Sequence, residues 1–248
     1  MLAGILSLQA HAGPNASPVA LPGGKFAPLF GMDKDQADFD LTPFKMDRYP
    51  VTEAQFLAFA QKQPSWGPQK ISMLFADSRY LSHWKKAGPS PAILQSPVTQ
   101  VSWFAADAYC TAQGGRLPTV LEWEYVAAAS ETSPNATKEP AFIEKILAWY
   151  SRPMANRKNF FIGQGKPNFY GVNDLHQLIW EWTADFNSVF LTADNRADGD
   201  KIANMFCGAG SIAASSKEDY AAFMRYATRS SLTARSTTKS LGFRCVYE

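Results

Sequence analysis

Apolar positions along the chain fall into short patterned blocks separated by long stretches without a period. After Pro50-Val51, Thr52 and Gln55 form a capping-box pattern, and Phe56, Phe59 and Ala60 supply one apolar face, so a helix is predicted there. Ser102 caps a second predicted helix that runs to about Gln113, where Gly114-Gly115 ends it. Past the extended link Arg116-Leu117-Pro118, Thr119 and Glu122 form another capping box, with a helix to about Ala129. Leu21–Phe26 reads as a turn entering a strand, Phe44–Tyr49 as a strand, and Leu241–Tyr247 as a last strand. Residues 62–100, with prolines at 64, 68, 89, 91 and 97, and residues 130–167 read as irregular. Residues 222–235 mix aromatic, basic and small side chains. No repeat or linker divides the chain, so one α+β domain of about 230 residues, low in regular secondary structure, is expected.

Composition narrows the function classes. Hydrophobic residues make up 46% and charged residues 19%, ordinary globular values that argue against disorder. Net charge is +2 with no long basic block, so no nucleic-acid partner is expected. No apolar run approaches the ~18 residues of a membrane span. The three histidines, His11, His83 and His176, cannot build a His-rich zinc site or an H-E-x-x-H motif. Asp194–Asp200 resembles a calcium loop only loosely, since Arg196 occupies a ligand place; a solvated turn is expected. Met1–Leu8 is apolar and Ala10-His11-Ala12 has the small-x-small form of a signal-peptidase site. Residues 1–12 are therefore expected to be the remnant of a secretory signal, residues 13–248 the folded domain, and the location periplasmic or secreted. Export permits disulfides. Cys110, Cys207 and Cys245 allow one pair plus a free thiol, or three free thiols.

Several segments together resemble the formylglycine-generating enzyme, or sulfatase-modifying factor, family. They are Leu21–Phe26, Met46–Thr52, Pro97–Cys110, Gly115–Ala127, Tyr170–Asp174, Ile179–Asp185, Gly208–Ser211 and Leu241–Cys245, in the family's order and across nearly the whole chain. The resemblance implies a single α+β domain with a C-type-lectin-like architecture. It also implies a Cys110–Cys245 disulfide, leaving Cys207 free. One calcium ion is implied, held by the side chains of Asp174 and Glu181 and the carbonyls of Gln177 and Ile179. No second calcium site is expected around Met154–Lys158, where acidic residues are lacking.

The resemblance breaks at the family's chemistry. Its formylglycine-generating members use two C-terminal cysteines to bind copper and oxidise a substrate cysteine with dioxygen. Here Ala222 and Ala227 align with those places, and no cysteine occurs between 208 and 244. Thiolate is the soft ligand that holds Cu(I), so copper is not expected. Ser240 stands where the family usually has Asn, while Ser211 and Trp180 are retained. The chain thus resembles cysteine-lacking bacterial relatives, among them accessory factors encoded with copper nitrite reductase and a pyoverdine-maturation type.

Three functions follow. The first is an exported accessory or maturation protein whose cleft, lined by Trp180, Ser211, Arg229, Arg235 and Ser240, holds a peptide or small molecule. The second is an enzyme of altered chemistry in that cleft, such as oxidative maturation of a small molecule, with Arg suited to carboxylate or phosphate. The third is copper handling through Cys207, with Met205 and Met224 as soft partners, against the simpler reading of Cys207 as a buried inert thiol. Glu122, Glu124 and Glu181 are expected to be cap and network residues rather than catalytic acids. Arg225, Arg229, Arg235, Lys239 and Arg244 are expected to form a solvated basic face rather than a ligand site.

Overall fold

A computed structural model describes residues 17–27, 38–85, 88–151, 160–176, 178–187 and 217–248. Three small sheets and five α-helices make up the described architecture. β1 (Val19–Leu21), β4 (Phe44–Met46) and β7 (Val246–Tyr247) form an antiparallel sheet in the order β1-β4-β7. β2 (Gly24–Phe26) pairs antiparallel with β3 (Phe39–Leu41). β5 (Trp180–Glu181) pairs parallel with β6 (Leu241–Gly242), setting Trp180 opposite Leu241.

The capping signals produce their helices. In α1 (Glu53–Lys62) the Thr52 side chain accepts from the Gln55 N–H and the Gln55 side chain reciprocates, which satisfies two otherwise orphaned donors. Ser102 caps α2 (Trp103–Ala112), and the Thr119–Glu122 box starts α3 (Val120–Ala127), two residues shorter than expected. Gly114, at φ +77°, supplies the left-handed turn that stops α2. Two short 3-10 turns, Pro64–Trp66 and Pro91–Ile93, are the regular structure of residues 62–100. The expected last strand is two, β6 and β7, separated by Phe243, Arg244 and Cys245.

Two elements depart from the expectation. Residues 130–167 contain α4 (Pro140–Tyr150), which buries Ile143, Ile146 and Trp149 at three-residue spacing. Pro140 opens that helix at its first turn, where the missing N–H costs nothing. α5 (Lys217–Ser230) covers much of the stretch read only as mixed composition, and it buries Ala221, Ala222, Arg225, Tyr226 and Arg229. It packs against α4.

Two apolar clusters form the core. The larger gathers Phe56, Phe59, Tyr80, Trp84, Tyr109, Trp182 and Phe243 around α1 and α2. The other packs Phe26, Phe44, Met46, Trp123 and Val126 between α3 and the β1-β4-β7 sheet. Many aromatic rings meet edge-on; Phe243, for example, touches Phe56 and Tyr109 at centroid distances of 6.1 and 5.3 Å. Cys110 of α2 and Cys245 are joined by a disulfide, with Cα atoms 5.5 Å apart, tying the larger cluster to the C-terminal strand.

Candidate functional site

The chemistry-bearing side chains converge where α3, α4 and α5 meet β5. α3 is short and almost wholly buried, so its second turn presents Glu124 to the interior. Both Glu124 oxygens accept from Arg225: Nε at 2.9 and 3.0 Å, and Nη2 at 2.7 Å to Oε2. Arg229, one helical turn further along α5, donates from Nη1 to Oε1 at 2.7 Å. Its guanidinium also lies 4.9 Å from the Trp123 ring centroid, a cation–π contact. Burial alone would raise the Glu124 carboxyl, but Arg225 and Arg229 more than offset it and hold it at about 2. Arg225 extends the network by donating to the Tyr150 hydroxyl and the Ala221 carbonyl, both at 3.2 Å.

Tyr150 connects this network to Trp180. Its ring stacks on the indole with centroids 5.2 Å apart and planes 19° apart, and Trp149 packs at 5.1 Å. Trp180 is half-buried, and its backbone N–H donates to the Ser240 carbonyl at 2.7 Å. Trp180 and Ser240 are thus brought together through the β5–β6 pairing. Arg229 reaches the same helix cluster through Glu124 and Trp123. Arg235 is exposed, and its carbonyl accepts from the Asp77 N–H at the base of the 72–79 loop. Ser211 lies outside the described residues, as do Gln177, Cys207, Met205, the 1–12 segment, the 194–200 turn and the Met154–Lys158 stretch.

The expectation of a solvated basic face is corrected at three of its five members. Arg225, Arg229 and Arg244 are 7%, 6% and 0% exposed, because each is the counter-ion of a buried carboxylate; Arg235 and Lys239 remain exposed. Glu122, Glu124 and Glu181 are network residues as expected. Glu122 pairs with both Nη atoms of Arg116, at 2.8 and 2.7 Å. Arg244 donates from Nε and Nη2 to Glu181, each at 2.8 Å, and Trp123 Nε1 donates to the same carboxylate at 2.7 Å. The remaining Arg244 donors reach the carbonyls of Asp47, Arg48 and Asn173, so this fully buried guanidinium cross-links four segments.

Asp174, at φ +66°, accepts from the Gly163 N–H at 2.6 Å. Burial raises its carboxyl, and that of Asp47; Glu181 pushes both further up while Arg244 holds them down. Glu181 is the carboxylate that Arg244 contacts directly, while Asp47 and Asp174 sense both groups only through space; carboxylate oxygens of this kind are the hard donors a calcium ion would take. Among the described residues no three His, Cys, Asp or Glu side chains converge as a metal cluster. An ion there would therefore depend on backbone carbonyls, as the expected set of Asp174, Gln177, Ile179 and Glu181 would.

A separate cavity of about 320 Å³ lies across α4, floored by Phe142, Ile146, Val172 and Leu175, with His176 in its wall and Trp180 outside it. Burial, with Arg225 nearby, lowers His176 to about 4; the ring is neutral and its Nε2 lies 2.7 Å from the Ala127 carbonyl.

Sequence reasoning missed Trp149, Tyr150 and the inward role of Arg225. The available signals were the apolar spacing after Pro140 and the four-residue step from Arg225 to Arg229, which places both on one helix face.

A short α+β domain, cross-linked by buried Arg–carboxylate sets and threaded by W-E-W and L-G-F-R-C blocks, defines the class. The chain belongs to the family described as sulfatase-modifying factor enzyme 1-like domain, whose model matches residues 6–248. It is 28% identical over 285 residues to the mouse inactive C-alpha-formylglycine-generating enzyme 2, covering 92% of this chain and 84% of that protein. It is likewise 28% identical over 294 residues to the formylglycine-generating enzyme of Streptomyces coelicolor, covering 95% and 92%. The solved structure of PvdO from Pseudomonas aeruginosa aligns with TM-score 0.51 and 16% identity over 93% of this chain and 94% of that one, a likeness of fold.

Proposed function

We propose that this is an exported accessory or maturation protein whose cleft beside Trp180 holds a peptide or small molecule and makes no formylglycine. The observation that carries this reading is the composition of α5. No cysteine occurs between residues 208 and 244, and at the places expected for the family's two cysteines stand Ala222, which is buried, and Ala227, which is half-buried. Neither methyl side chain can ligate copper or carry electrons to dioxygen. Cys110 and Cys245 are joined to each other, which leaves Cys207 alone and unable to supply a thiolate pair. The mouse relative's name, inactive C-alpha-formylglycine-generating enzyme 2, supports the same direction.

The polar groups of the helix cluster suit scaffolding better than turnover. Glu124 accepts from both Arg225 and Arg229, and Tyr150 is held by Arg225. A ligand at Trp180 would meet an aromatic surface with Ser240 beside it. On this reading Asp174, Gln177, Ile179 and Glu181 hold a calcium ion that steadies the loop before Trp180; calcium would supply charge balance there. Export to the periplasm or the exterior, read from residues 1–12, completes the proposal. The test is native mass spectrometry of the purified chain, with Trp180→Ala as control. A bound adduct that the substitution removes supports the cleft; an adduct kept by Trp180→Ala, or none from any expression host, counts against it.

A further inference from the structure

The loop from Ser72 to Arg79 projects three consecutive apolar side chains into solvent. Met73, Leu74 and Phe75 are 61%, 75% and 42% exposed, and together with Phe169 and Tyr220 they are the large apolar residues most exposed among those described. A single exposed leucine is ordinary; three in succession on one loop are not.

The loop is held in this posture. The Phe75 N–H donates to the Ser72 carbonyl at 2.9 Å, and the Leu74 N–H to the Ser72 hydroxyl at 3.2 Å, closing a tight turn. The Phe75 ring is wedged between Trp66 and Phe104, at centroid distances of 5.9 and 5.3 Å. At the loop's base the Asp77 N–H donates to the Arg235 carbonyl, and its carboxylate accepts from Thr237 and from Arg79. The tip therefore cannot fold inward to bury Met73 and Leu74.

Its surroundings are cationic. Lys70, Arg79 and Arg235 are all exposed, with the Arg79 side chain at 65%. Asp77, the loop's own acid, is engaged by Thr237 and Arg79. An apolar tip flanked along the chain by Lys70 and Arg79, with Arg235 joined to its base, matches an interface with acyl chains below and anionic groups above. It is small against the ~800 Å² per partner of a stable protein interface. No helix among the described residues is long and apolar enough to cross a membrane.

We infer that Met73 and Leu74, held out by the anchored Phe75, insert into the surface of an anionic lipid bilayer, with Lys70, Arg79 and Arg235 contacting its headgroups. The assay is co-sedimentation of the full chain with phosphatidylglycerol-containing vesicles and with pure phosphatidylcholine vesicles, at low and at raised salt. Wild type is expected to bind the anionic vesicles and to weaken as salt screens the charges. Met73→Ser/Leu74→Ser should lose roughly tenfold or more in partitioning, with an unchanged melting temperature because both side chains are exposed. Arg79→Gln should lose several-fold on anionic vesicles and little on neutral ones. Equal binding by wild type and the double-serine variant overturns the inference. So does absence of vesicle binding accompanied by concentration-dependent self-association that the double-serine variant abolishes, which would assign the tip to a second copy of the chain.

Discussion

Glu124→Gln removes one negative charge from beneath two buried guanidinium groups while keeping the side chain's shape. Two routes give the size of the effect. Breaking a buried ion pair by deleting one partner typically costs about 3–5 kcal/mol, because the other charge stays buried and uncompensated. Independently, the Glu124 carboxyl lies at about 2 against an ordinary value of 4.5. At ~1.4 kcal/mol per pKa unit that gap corresponds to roughly 3 kcal/mol. For a chain of this length, such a loss lowers the melting temperature by roughly 10 °C. The folded-state value is depressed, so the stabilisation is complete above the unfolded value of about 4.5 and is lost as pH falls towards about 2. Urea unfolding at about pH 7 and about pH 3 reads both effects. The variant should be less stable at the higher pH, and the gap to wild type should narrow in acid. A triple variant, Glu124→Leu/Arg225→Met/Arg229→Met, should cost less than Glu124→Gln alone, because no charge is left unpaired. A Glu124→Gln protein within ~1 kcal/mol of wild type at pH 7, or a gap that stays constant in acid, would refute the reasoning.

Reduction of the Cys110–Cys245 bridge, or Cys110→Ala/Cys245→Ala, opens a link between residues 135 apart; the loss should approach about 5 kcal/mol at most and is read as a fall in melting temperature. Gly242→Ala should destabilise strongly in a chemical-denaturation series, since its Cβ would sit 2.3 Å from the Val98 carbonyl oxygen and 2.7 Å from Ile179 Cδ1. Calcium against a chelator should raise the melting temperature of wild type and much less that of Asp174→Asn; equal shifts in both would remove calcium from those residues.

What was legible in the sequence is what is local. The capping pairs Thr52/Gln55 and Thr119/Glu122 lie three residues apart and state their helix starts outright. Pro140 was harder, because proline marks irregularity as readily as a helix's first turn. α5 was illegible for a different reason: its buried face contains Arg225 and Arg229, so a hydrophobic pattern search reads that face as solvent. Their partner Glu124 lies 101 and 105 residues away, and Glu181 lies 63 residues from Arg244. No periodic signal spans such distances; only folding brings those charges together. The stacking of Tyr150 on Trp180 is hidden in the same way, since it depends on where α4 docks.

The proposed loss of cysteine oxidation rests on the absence of any cysteine from residues 208–244, the stretch that includes α5. The direct measurement is to load the protein with copper, incubate it with a sulfatase-type cysteine peptide under oxygen, and weigh the peptide. The cysteine peptide is expected to keep its mass over many equivalents. Repeated turnover to the formylglycine product would contradict it.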